Sequence, residues 1–113
     1  VEVDGVIYIQ VIDAVKASGA GMLELHTGCY AEAKTEQLKL HELQRIEVAA
    51  SYANSLGLQV NAGHGLHYHN VEPIARIPEI IELNIGHAII ARALVSGLEQ
   101  AIRDMKVLMR QAR

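Results

Sequence analysis

The chain predicts an α/β fold in which parallel strands alternate with helices, and three observations carry that reading. Short apolar runs alternate with longer stretches whose apolar residues recur at helical spacing. Half of the 113 residues are hydrophobic, enough for one packed core and about one domain. Glycine, asparagine and histidine gather where the short runs end, which is where parallel α/β folds bind their ligands.

The elements follow in order. Val6 to Ile9 reads as a strand, and Val11 to Ser18 as a helix with Ile12 and Val15 apolar, stopped at Gly19. Met22 to Leu25 is a short strand running into His26-Thr27-Gly28. From Thr35 to Leu56 the pattern is helical, with Leu43, Ile46, Ala50 and Ala53 on one face and Gly57 at the end. Leu58 to Asn61 is a strand emptying into Ala62-Gly63-His64-Gly65. Asn70 to Pro78 has room for a short helix only. Ile80 to Ile85 is a strand ending at Gly86-His87. One long last helix carries Ile90, Leu94, Leu98, Ala101, Met105 and Leu108 at helical spacing, with Glu99, Arg103, Asp104 and Lys106 exposed.

Four strand–helix units in a row imply parallel pairing, and apolar residues at most strand positions imply a sheet covered by helices. The expected architecture is half of a TIM-type (β/α)₈ barrel, since a complete one needs about 250 residues. Residues 1–113 form a single domain on this reading. A half barrel leaves sheet edges and apolar surface open. It is therefore expected to pair with a copy of itself, to join a missing half, or to sit as a small open sheet.

The totals exclude several classes. A net charge of −3 gives no electrostatic footprint for nucleic acid or an anionic membrane. The single cysteine, Cys29, allows no internal disulfide and fits a reducing compartment. No run is apolar enough to span a membrane and the first residues show no signal-peptide pattern, so the expectation is cytoplasmic.

Chemistry collects at three strand ends. At Gly86-His87 a ligand oxygen could approach the main chain at a helix N-terminus. The same residues also fit a tight turn in which His87 merely caps or packs. In Gly63-His64-Gly65, flanking glycines expose an imidazole suited to proton transfer, or a loop histidine bonded to backbone. Glu24, between leucines, is either a working carboxylate or half of an ion pair with Arg76 or Arg92. His64, His67 and His69 match no standard zinc spacing, so no metal is expected. Cys29 lacks a nucleophile context. Tyr52 and the methionines of the last helix read as packing.

Three stretches then name a family. Glu24-Leu25-His26-Thr27-Gly28-Cys29-Tyr30-Ala31, Gly57 to Leu66 and Glu82 to Ile90 resemble pyridoxine 5'-phosphate synthase, in order, from about Gly19 to Arg113. Residues 1–18 match it poorly. The resemblance implies a TIM barrel that condenses 3-amino-2-oxopropyl phosphate with 1-deoxy-D-xylulose 5-phosphate to form pyridoxine 5'-phosphate, phosphate and water. It implies His64 as proton donor, Glu24 as the carboxylate stabilising the transition state, and Gly65, Gly86 and His87 as substrate or phosphate contacts. No cofactor is implied. The family's other catalytic histidine and glutamate, and its phosphate-binding arginine, belong to the N-terminal half of the barrel.

Overall fold

A computed structural model covers residues 2–113, with side chains described from Ile9 onward. The elements are α1 (Glu2–Ala17), β1 (Met22–His26), α2 (Gly28–Ala31), α3 (Glu36–Ser55), β2 (Gln59–Gly63), α4 (Val71–Ala75), β3 (Ile80–Asn84), α5 (His87–Ser96) and α6 (Leu98–Gln111). Among the described residues the sheet has three strands, all parallel, in the order β1-β2-β3. The strand expected at Val6 to Ile9 is not formed, because those residues continue into α1. Three β-strands are thus present among the described residues where four β/α units were expected.

The central strand β2 is buried along nearly its whole length, Asn61 included, whereas the flanking β1 and β3 carry exposed positions. Leu25, Val60, Ala62 and Ile80 are buried, with Leu23 and Leu83 packed beside them. Glu24 and His26 of β1 and Glu82 and Asn84 of β3 stand exposed, as does Ile81, which the register shift between β2 and β3 leaves without a partner position. The expectation of apolar strands fails at these exposed positions of the flanking strands. Glu24 pairs in register with the buried Asn61, and Asn61 with Glu82.

The helices supply the rest of the core. Thr35 caps α3 by accepting the Leu38 N–H at 3.1 Å. Ile46, Ala49, Ala50 and Ala53 of α3 are buried, and Ile12 of α1 joins them. Mostly small side chains on α3 let the helix lie close to the strands. Tyr52 does more than pack: its hydroxyl donates to Asp13, tying α3 to α1.

The single long final helix is corrected to two. Gly97 adopts φ 86°, a conformation open to glycine, and the chain turns there between α5 and α6. The consequence is unequal burial. Ala101 and Met105 of α6 are buried, whereas Leu94 and Val95 of α5 are 86% and 92% exposed. At the end of α6, the Arg113 guanidinium donates to the carbonyls of Ala75, Ile77 and Ile80, anchoring the last helix to the start of β3. Among the described residues no helix is long and apolar enough to cross a membrane.

Candidate active site

Parallel strands present their carboxyl ends at one rim, so the residues following β1, β2 and β3 converge. A cavity of about 350 Å³ opens there, lined by Glu24, His64, Gly65, Leu66, Asn84, Ile85, Gly86 and His87. All five residues singled out in the sequence, Glu24, His64, Gly65, Gly86 and His87, border this one space.

Glu24 sits at the centre of the rim. Its Oε1 lies 3.5 Å from Nδ1 of His64, and its Oε2 accepts a hydrogen bond from the Asn84 side-chain amide. The ion-pair alternative with Arg76 or Arg92 is not realised: Arg92 instead reaches Asp104 at 3.7 Å and lies over the Tyr68 ring. The carboxylate can come so near because β2 ends in glycine. A Cβ on Gly63 would stand 2.9 Å from the Asn84 carbonyl oxygen and 3.1 Å from Glu24 Oε1.

His64 projects from the loop after β2, with its side chain 61% exposed and that of Glu24 35% exposed. It is the one non-glycine residue with positive φ among the described residues, at 87°, and Gly65 follows at 75°. Such a backbone costs energy for a residue with a Cβ and persists only when its surroundings impose it. Those surroundings are visible. The buried Thr27 hydroxyl lies 2.7 Å from both the Gly63 and His64 carbonyl oxygens, and its N–H donates to Gly63 at 2.8 Å. The buried Asn70 donates to the Gly65 carbonyl at 3.0 Å and accepts from the His67 N–H at 2.7 Å. Tyr30 in turn donates its hydroxyl to the Asn70 carbonyl at 2.7 Å. Burial, aided by the Glu36 charge, pushes the Tyr30 phenol up to about 12, so it stays a donor across the physiological range.

Gly86 and His87 form the opposite wall. Gly86 is the N-cap of α5 and provides no side-chain cap. The first-turn amides of a helix have no intrahelical partner, and here no side chain caps them. His67 and His69, farther along the loop, pack edge to face at 6.0 Å. Desolvation holds His67 below the ordinary histidine value, with the charges of His69, Lys39 and His87 adding to the effect. Cys29 is exposed in α2. No group of three metal-ligating side chains exists among the described residues.

Sequence reasoning missed Asn84, Thr27, Tyr30 and Asn70. Asn84 carried a usable signal, since it opens the polar stretch Asn84-Ile85-Gly86-His87 at the end of β3. Tyr30 and Asn70 carried none, because their bond spans 40 positions.

The family described as "Pyridoxal phosphate biosynthesis protein PdxJ" matches residues 7–111, taking in most of the stretch ahead of Gly19. The chain is similar to proteins named pyridoxine 5'-phosphate synthase. That of Idiomarina loihiensis is 59% identical over 102 residues, 90% of this chain and 42% of the relative. That of Pseudoalteromonas translucida is 61% identical over 102 residues, again 90% and 42%. That of Legionella pneumophila is 65% identical over 95 residues, 84% and 38%. The chain therefore spans about two fifths of the length of the curated relatives it matches. A match running almost end to end, with a strand-end cavity bordered by the residues of its most recognisable stretches, makes this chain a member of the PdxJ family.

Proposed function

We propose that this chain carries one side of a pyridoxine 5'-phosphate synthase active site, within a TIM-type barrel of which it forms the C-terminal portion. The observation that carries the reading is the single cavity bordered by Glu24, His64, Gly65, Gly86 and His87. The sequential, all-parallel strand order with helices packed against the sheet suits a singly wound barrel. The exposed polar positions Glu24, Glu82 and Asn84 suit a barrel interior. Residues 1–113 act as one domain on this reading, and the portion of the relatives beyond this match closes the barrel against the edges of β1 and β3.

The substrates are 3-amino-2-oxopropyl phosphate and 1-deoxy-D-xylulose 5-phosphate. Forming an aromatic ring from them requires loss of water, and each loss breaks a C–O bond whose departing oxygen needs a proton. His64 supplies that proton. Its Nδ1 faces Glu24, which leaves Nε2 for the substrate. Glu24 stabilises the imidazolium and the positive charge developing on the substrate, while Asn84 holds the carboxylate's other oxygen in place. The amides following Gly86, with Gly65 and His87, hold a phosphate by the helix N-terminus. The remaining acid–base groups and a phosphate-binding arginine come from the rest of the barrel. No metal or organic cofactor takes part.

Mixing the chain with the N-terminal portion of a relative and assaying pyridoxine 5'-phosphate tests this directly. Turnover is expected from the mixture and not from either piece, and His64→Asn should lower it by roughly 100- to 10,000-fold, the usual range for a general acid. Full turnover by the His64→Asn mixture would end the assignment.

A further inference from the structure

We propose that the end of β1 orients His64 through two contacts, Thr27 on its main chain and His26 on its ring, making both positioning residues. The inference rests on the proton-transfer role proposed for His64. Neither side chain is among those that line the cavity, and each instead contacts His64.

Thr27 is 0% exposed. Its hydroxyl lies 2.7 Å from two successive carbonyls, those of Gly63 and His64. These two acceptors flank the φ of 87° that aims the imidazole. A branched side chain with few rotamers is a stiff support for such a contact. His26 acts from the other side. Its ring stacks on that of His64 with centroids 4.1 Å apart and planes 24° from parallel. His26 is itself fixed, because its Nδ1 accepts the Gly28 N–H at 3.2 Å. A Cβ on Gly28 would lie 2.5 Å from His26 Cε1, so a side chain there would displace the ring. Backbone and ring of His64 are thus held independently, with Nδ1 turned to Glu24.

The test uses the full-length protein carrying this segment and four variants: Thr27→Val, Thr27→Ser, His26→Ala and His26→Phe. Thr27→Val and His26→Ala should lower kcat by about tenfold or more with KM changed less than about threefold, since small misplacements of a reacting group cost rate. Thr27→Ser keeps the hydroxyl and His26→Phe keeps the stacked ring, so both should stay within about threefold of the parent. Nitrogen NMR of the His64 ring gives a readout independent of turnover. Glu24→Gln should shift the His64 signals in the parent and leave them unmoved in Thr27→Val and His26→Ala. Should Thr27→Val fail to fold, the exposed His26 pair decides. Parent-like kcat and NMR response in His26→Ala, or a His26→Phe as impaired as His26→Ala, would overturn the inference. A parent that shows no turnover, yet whose NMR response is lost in His26→Ala, would sink the synthase assignment and support the orienting device.

Discussion

The two walls of the cavity are built in opposite ways. The loop after β2, carrying His64 and Gly65, is braced from behind by Thr27, Tyr30 and Asn70, all buried. The turn after β3, carrying Gly86 and His87, opens a helix none of whose residues is buried. A proton donor must sit within hydrogen-bond reach of its target, so its geometry calls for rigid support. A phosphate held by helix-end amides needs unoccupied main chain and space, and a glycine with open surroundings provides both. The braced wall should therefore report damage as lost stability, and the open wall as lost binding.

The largest effect is expected for Asn70→Ala. It strips partners from the Gly65 carbonyl and the His67 N–H together, and should cost about 2–3 kcal/mol in urea unfolding. Gly63→Ala should follow at about 2 kcal/mol, because the new Cβ meets the Asn84 carbonyl at 2.9 Å. It should also disturb the Glu24–His64 contact.

Tyr30→Phe should cost about 1 kcal/mol at neutral pH through the lost bond to Asn70. It carries a pH signature as well. The phenol titrates near 10 when unfolded and at about 12 in the fold. The unfolded chain thus releases its proton first, so the contribution of Tyr30 is intact below pH 10 and is lost as the pH rises toward 12. Tyr52 is also raised, through its hydrogen bond to Asp13, so the comparison is between parent and Tyr30→Phe. The variant should lose part of the alkaline decline in melting temperature.

The smallest stability change belongs to the open wall. A Cβ on Gly86 would meet nothing within 4 Å, so Gly86→Ala should alter unfolding by less than about 0.5 kcal/mol. If the amides there hold phosphate, the same variant should weaken phosphate-dependent thermal stabilisation of the assembled barrel by about tenfold in apparent Kd. A Gly86→Ala protein that is unstable yet binds normally would reverse the contrast between the walls.

Much of this site could be read from the chain because its residues lie in short, compact stretches. His64, Gly65, Gly86 and His87 follow strand ends marked by glycine, Glu24 lies within β1 just ahead of such an end, and parallel strands bring such ends together whatever their separation in sequence. The three observed strands fell close to their expected places for the same reason. What failed was phase and continuity. Val6 to Ile9 has the composition of a strand but lies inside α1. Apolar spacing ran unbroken from Ile90 to Leu108, yet Gly97 turns the chain and leaves Leu94 outside. A local apolar pattern says that a segment can be buried, and packing decides whether it is.

The amino-acid sequence alone determined the family, the α/β class and the polar residues at the strand ends, because these depend on local order and on periodicity. Only the tertiary structure decided that Glu24 would face His64 and Asn84 rather than an arginine, and that Thr27, Tyr30 and Asn70 would brace the loop. Apart from the local Asn70–Gly65 bond, those are contacts across 36 to 60 positions. They exist because strand register sets neighbouring side chains a few ångströms apart, and no spacing along the chain encodes that register.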